Sequence, residues 1–138
     1  MATIQAVLEN HQGVNAVRLR TGAHAYSLAI PPKAGGFGSS ASGGELLFLA
    51  LAACYCNDIY REAAKRGLTV QGVEVNVTGD FEREGGPATC ISYSVRIKAD
   101  ANEDQLLDLI RHTDQIAEVH QTLRVATPVQ LSGFETME

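Results

Sequence analysis

Of the three cysteines in the chain, Cys54 has charged neighbours at helical spacing: Asp58 lies four residues on and Arg61 seven. On a helix all three share one face. An arginine in that place would stabilise a thiolate, lower its pKa and make it nucleophilic at neutral pH. Asp58 would oppose that effect or pair with Arg61. The plainer reading is that a cysteine in the middle of a helix is a small hydrophobe, and the residues alone leave both readings open. Cys56 is not a disulfide partner for Cys54 within an intact helix. Residues two apart point about 200° away from each other, whereas a disulfide needs converging Cβ vectors. Three cysteines with no Cys-x-x-Cys pair make neither a disulfide framework nor a zinc site. His11, His24, His112 and His120 lack ligand spacing and read as surface residues, so no metal is expected. No Gly-x-Ser-x-Gly elbow, phosphate loop or dinucleotide fingerprint is present, so no cofactor is expected either.

The element that must position Cys54 is a long helix over Ser42–Gly67. Ser42 and Glu45 have the spacing of a capping box. Lys65 and Arg66 suit the negative end of the helix dipole, and Gly67 supplies the left-handed residue beyond it. From Leu46 to Cys56 no residue is charged, which marks a helix enclosed on all sides. At about 1.5 Å per residue this run is too short to cross a bilayer, so it belongs to a protein interior.

Around it, Thr3–Glu9, Val14–Leu19 and Ala23–Ile30 read as an antiparallel meander split by Asn10–Gly13 and Thr21–Gly22. Pro31–Gly44 is a long Gly/Ser-rich loop, either functional or a solvated linker. Val73, Val75 and Val77, and Ile91, Tyr93, Val95 and Ile97, alternate with polar residues as two half-buried strands joined at Glu84–Pro87. Cys90 shares parity with the polar set. Asn102 and Gln105 open a helix with Leu106, Leu107 and Ile110 on one face, and Ile116, Val119 and Leu123 suggest a shorter one. Val125–Leu131 reads as a last strand, with Pro128 favouring an edge.

One α+β domain over residues 1–138 is expected from the length. A net charge of −5 with no basic patch argues against nucleic acid or an anionic membrane as partner. No export signal is visible, and the cysteine usage fits a reducing cytoplasm. One modest sheet and two short helices cannot cover Leu46–Cys56 on every side. A second copy of the same helix across a two-fold axis would, so an obligate homodimer with central long helices is expected.

GGFGSSASGGELLFLALAAC, Gly35–Cys54, resembles the signature of the OsmC and organic hydroperoxide resistance family: a glycine pair, a Gly/Ser loop, a Glu-Leu-Leu helix start and an Ala-Ala-Cys. The likeness continues through REAAKRGLTVQGVEVNVTGDF, Arg61–Phe81. It returns at IAEVHQTL, Ile116–Leu123, in the place of the family's Cys-Pro-Val-x-x-Thr-Leu motif. The resemblance implies an OsmC-like fold, with antiparallel sheets packed around a long central helix in an intertwined homodimer. It also implies a thiol peroxidase, in which a first cysteine attacks the peroxide and a second resolves the sulfenic acid as a disulfide, with an external thiol as reductant.

Matched residue by residue, Cys54 takes the place of the peroxidatic cysteine, while the resolving cysteine is replaced by Ala117 and the proline after it by Glu118. The family's supporting arginine comes from the N-terminal hairpin, where Arg18 or Arg20 would stand. Its glutamate falls at Gly44. Glu45 matches instead the Glu-Leu-Leu start of less characterised members, nine residues and about 13.5 Å of helix rise from Cys54. Cys56 or Cys90 would need local unfolding, or approach from another strand, to act as resolver. The resemblance therefore implies a one-cysteine peroxidase acting on a small apolar hydroperoxide and resolved by an outside thiol. The alternative is a non-catalytic dimer of the same fold that binds a small apolar ligand, with Cys54 as core.

Overall fold

The long helix α1 runs Gly43–Lys65 in the structure, a computed structural model that describes residues 2–137. Both ends are closed as the sequence dictates. The Ser42 N–H donates to Glu45 Oε1 at 2.9 Å and the Glu45 N–H to Ser42 Oγ at 3.1 Å, completing the capping box. At the other end Gly67 takes φ +68°, the Leu68 N–H reaches the Ala63 carbonyl at 2.9 Å and the Gly67 N–H the Ala64 carbonyl at 3.1 Å. That pair of bonds is a Schellman motif, and it satisfies carbonyls the helix would otherwise leave open.

The architecture is α+β with antiparallel sheets, and the chain divides into two compact units, one up to Leu47 and one from Phe48 onward. In the first unit, β1 (Ile4–His11), β2 (Val14–Thr21) and β3 (His24–Ser27) form the expected meander in the order β1-β2-β3. Gln12 and Gly13 both have positive φ, the geometry of a two-residue type I′ hairpin turn. Asn15 Nδ2 donates to the Ile30 and Gly38 carbonyls at 3.1 and 3.2 Å, and Asn10 Nδ2 to the Gly38 carbonyl at 3.2 Å. The Gly/Ser-rich loop is thus anchored on the hairpin rather than solvated along its length. Gly36 lies so close to Gly13 that an added Cβ would stand 2.9 Å from the Gly13 Cα, so only glycine fits.

In the second unit β4 (Val70–Asp80) and β5 (Thr89–Ala99) pair antiparallel, with Val73 opposite Ile97, Val75 opposite Val95 and Val77 opposite Tyr93. The core cluster is Tyr55, Ile59 and Ala63 of α1 with Leu109 and Ala117, and the valines of β4 and the inward residues of β5 pack against it. Helix α2 (Glu103–Ile116) starts at the Asn102–Gln105 capping box, both of its reciprocal bonds present. Its buried residues are Leu109 and Thr113; Leu107, expected on the apolar face, is exposed. Ala117 breaks the helix with an extended backbone before α3 (Glu118–Arg124). Ala117 at the break and His120 on α3 are buried, and Leu123 is left partly open.

Two expectations are corrected. Residues 125–131 form no strand: Val129 and Leu131 are almost fully exposed, and Pro128 lacks the N–H a ladder needs. The four histidines are not all surface residues. His11 and His24 are exposed, but His112 is half-buried against Glu62, and His120 is only 4 % exposed.

Candidate functional site

Cys54 sits half-buried in the middle of α1, packed against the core cluster that includes Ala117. Its thiol donates to Asp58 Oδ2 at 3.7 Å. Asp58 is itself buried and bound by Arg61 Nη1 at 2.9 Å. The i, i+4, i+7 face read from the sequence is therefore a contiguous chain from thiol to carboxylate to guanidinium. Both alternatives for Asp58 are realised, since it pairs with Arg61 and also faces the sulfur.

The charge balance favours the protonated thiol. Burial pushes the Cys54 pKa above its ordinary value of 9.0; the Val119 backbone N–H pulls it down, the Asp58 charge raises it further, and the Glu118 N–H again lowers it. Arg61 is spent on carboxylates, because its Nε also holds Glu62 Oε2 at 2.9 Å. Glu62 is buried and takes Lys65 at 3.0 Å and His112 Nε2 at 2.9 Å as well. Those hydrogen bonds, Arg61 first, hold its carboxyl at about 2.

Arg18, Arg20 and Glu45, also singled out from the sequence, belong to the first unit. Arg18 is exposed and paired with Glu9 at 3.0 Å; Arg20, two residues on along β2, is exposed and stands opposite Gln5 and Ala25. The Glu45 carboxylate is engaged in the helix cap, whose hydrogen bonds from Ser42 lower its pKa. Ala117, in the place of a second cysteine, is a fully buried methyl. Cys56 is half-buried, and Cys90 is exposed at the start of β5 with φ +53°.

Sequence reasoning missed a second group of polar residues. The Tyr93 hydroxyl donates to Asp114, which also accepts from Arg124 Nη2 at 2.8 Å. Tyr93 packs edge-on against His120 with ring centroids 4.8 Å apart, and Tyr55 lies 6.0 Å from the same ring. Burial drives both tyrosine pKa values up. Burial also works to raise that of Asp114, but the bonds from Tyr93 and Arg124 outweigh it and the carboxyl ends below its ordinary value. The inward parity of Tyr93 on β5 was the available signal; the phase of α3, set by the break at Ala117, was not visible. Among the described residues no group of three or more His, Cys, Asp or Glu side chains is disposed to hold a metal ion. Nor is any helix among them long and apolar enough to cross a membrane.

A long central helix carrying a cysteine, packed on a β-hairpin and preceded by a three-stranded meander, defines the OsmC-like class of α+β folds. The pattern of that family, described as OsmC-like protein, matches residues 36–132, and the chain belongs to it. Among solved structures, an OsmC-like protein from Mycoplasma pneumoniae is 23 % identical with a TM-score of 0.60, over 90 % of this chain and 87 % of that one. An OsmC-like hydroperoxide resistance protein from Jannaschia sp. CCS1 is 15 % identical with a TM-score of 0.55, over 93 % and 87 %. An organic hydroperoxide resistance protein from Elizabethkingia anophelis is 17 % identical with a TM-score of 0.50, over 88 % of each. At these identities the likeness is one of fold. None of the curated proteins compared with the chain matches it.

Proposed function

We propose that this chain is a one-cysteine thiol peroxidase that reduces a small organic hydroperoxide through Cys54. The observation that carries the proposal is Cys54 itself: a half-buried thiol at the family's cysteine position, with its hydrogen directed at a fixed acceptor. In the reaction the sulfur bonds to the distal peroxide oxygen as the O–O bond breaks. The thiol proton leaves with the alkoxide as an alcohol, and the sulfur is oxidised by two electrons to a sulfenic acid. With alanine at position 117, an external thiol condenses with the sulfenic acid and releases water. A second external thiol then exchanges onto the mixed disulfide and restores Cys54. A reducing cytoplasm would supply such thiols. The supporting cation, Arg18 or Arg20, and the aligning carboxylate, Glu45, are assigned by the family resemblance and belong to the proposal. So does the homodimer, which is supported by the exposed Leu49, Ala50 and Ala53 on the uncharged stretch of α1.

The raised Cys54 pKa favours a second reading, a non-catalytic dimer that binds a small apolar ligand with Cys54 as core. A sulfenic-acid probe applied after cumene hydroperoxide separates the two. Under the peroxidase reading it labels wild type at Cys54 and does not label Cys54→Ser. Absence of label on wild type leaves the binding reading. Turnover with a dithiol reductant, compared in Arg18→Ala, Arg20→Ala and Glu45→Gln, tests the supporting roles, and light scattering tests the dimer.

A further inference from the structure

Reduction of a peroxide by Cys54 makes two demands on protons. The sulfur attacks as it sheds its hydrogen, and the alkoxide leaves as it gains one. Burial, the largest influence on the thiol, keeps that hydrogen on the sulfur in the resting protein. Of the groups around it, the Val119 and Glu118 backbone N–H groups can only donate, and Arg61 is turned to Asp58 and Glu62. The acceptor is Asp58 Oδ2, 3.7 Å from the sulfur. Asp58 stands one turn on from Cys54, so α1 itself sets the spacing. Its carboxylate is buried, which keeps bulk water from taking the proton instead. Oδ1 is held by Arg61 Nη1 at 2.9 Å, and Arg61 is anchored in turn on Glu62, also at 2.9 Å. This clamp leaves Oδ2 facing the thiol, with no other hydrogen-bond partner among the described residues.

We infer that Asp58 is a catalytic residue of this site, a proton relay that takes the Cys54 hydrogen on Oδ2 and returns it from the same oxygen to the departing alkoxide. The inference rests on the peroxidase reading and adds a residue that the family resemblance does not assign. In the step the S–H bond breaks and its proton passes to Oδ2, while the sulfur electron pair bonds to the distal peroxide oxygen. The O–O bond breaks, its electrons go to the alkoxide, and the proton on Oδ2 follows to make the alcohol. Cys54 is left as the sulfenic acid and Asp58 is ionised again, so no outside acid or base is consumed. A carboxylate is a weaker base than a thiolate, so the transfer accompanies S–O bond formation and does not precede it. Asp58 therefore has two opposed effects. Its charge suppresses the thiolate, and its free oxygen opens a path for the thiol.

Two reagents separate those effects, because iodide leaves without a proton and alkylation by iodoacetamide follows the thiolate alone. The test measures single-turnover oxidation of Cys54 by cumene hydroperoxide and its alkylation by iodoacetamide at the same pH, on the full-length protein, by mass spectrometry of the Cys54 peptide. In Asp58→Asn alkylation should quicken while oxidation slows. The ratio of oxidation to alkylation should fall at least about a hundredfold, the lower worth of general acid–base catalysis. Asp58→Glu, which keeps a carboxylate, should recover part of that ratio. A ratio in Asp58→Asn equal to that of wild type overturns the relay, since the carboxylate then acts through its charge alone. Should Asp58→Asn not fold, wild type decides. With a proton in flight its oxidation should be slower in deuterium oxide than in water, and a rate that is no slower overturns the relay. The sulfenic-acid probe keeps the two failures apart: a labelled wild type with an unchanged ratio loses the relay only, whereas an unlabelled wild type loses the peroxidase reading and the relay with it.

Discussion

The Cys54 thiol donates to the Asp58 carboxylate across 3.7 Å, and Arg61 closes on the far oxygen of the same carboxylate at 2.9 Å. The cation that would favour a thiolate is thereby neutralised before it reaches the sulfur. Replacing Asp58 by Asn removes the negative charge beside the sulfur and releases Arg61 Nη1, while Nε stays on Glu62. The Cys54 pKa should then fall, and alkylation by iodoacetamide at pH 7.5 should quicken, by about tenfold for each unit of pKa. In wild type the alkylation rate should keep rising past pH 9.0, because the thiol titrates above that value. An Asp58→Asn protein that alkylates no faster than wild type would show that the carboxylate does not govern the thiol.

Two buried groups set separate acid windows. Glu62 has its pKa depressed to about 2 from an ordinary 4.5, so its folded state holds fewer protons than the unfolded one between those values. Its contribution to stability is present above pH 4.5 and is lost as pH falls toward 2. His120 is depressed from 6.5 by burial, so below pH 6.5 the unfolded chain takes up a proton that the folded chain resists. Stability should therefore drop first as pH falls through 6.5, and again below 4.5. Urea titrations across pH should lose the upper step in His120→Phe and the lower one in Glu62→Gln. A profile that stays level from about pH 7.5 to 5 in wild type would refute the assignment of the upper step.

By resemblance, the place of a resolving cysteine falls on Ala117, which is buried in the cluster that Cys54 packs against. Under the peroxidase reading, Ala117→Cys supplies the missing resolver. Treated with one equivalent of cumene hydroperoxide, that variant should lose two free thiols and form an intrachain disulfide between Cys54 and the introduced cysteine, detected by peptide mapping. Wild type should stop at a sulfenic acid. If the variant shows only mixed disulfides with added thiol, the geometry of the cluster does not permit resolution from position 117.

Long-range order was legible wherever one residue type had one physical use. The two capping boxes, the Schellman glycine and the alternating valines of β4 each satisfy a local backbone or burial demand that spacing alone reveals. The Cys54–Asp58–Arg61 face was readable for the same reason, being a matter of helical periodicity. What escaped depended on a single backbone event. The extended Ala117 ends α2 and starts α3 anew, so the face read by running one periodicity from Ile116 through Leu123 does not show that His120 is buried. The tail after Arg124 escaped differently: its alternation fits a strand, but a strand needs a neighbour, and residues 125–131 pair with none among the described residues.

The close approach of Gly79 on β4 to Phe48 on α1 fixes how the helix lies on its hairpin. A Cβ at position 79 would stand 2.6 Å from Phe48 Cζ and 3.2 Å from Ile91 Cγ1, while the Phe48 ring is held against Phe81 with centroids 6.0 Å apart. Gly79→Ala cannot be accommodated without moving an aromatic ring that already has a packing partner. The substitution should cost about 1–3 kcal/mol, the range for overpacking. Thermal unfolding should show the loss, and Phe48→Leu in the same chain should recover part of it by vacating the ring position. The double variant is the decisive measurement: if its two effects simply add, the glycine is not there to admit Phe48.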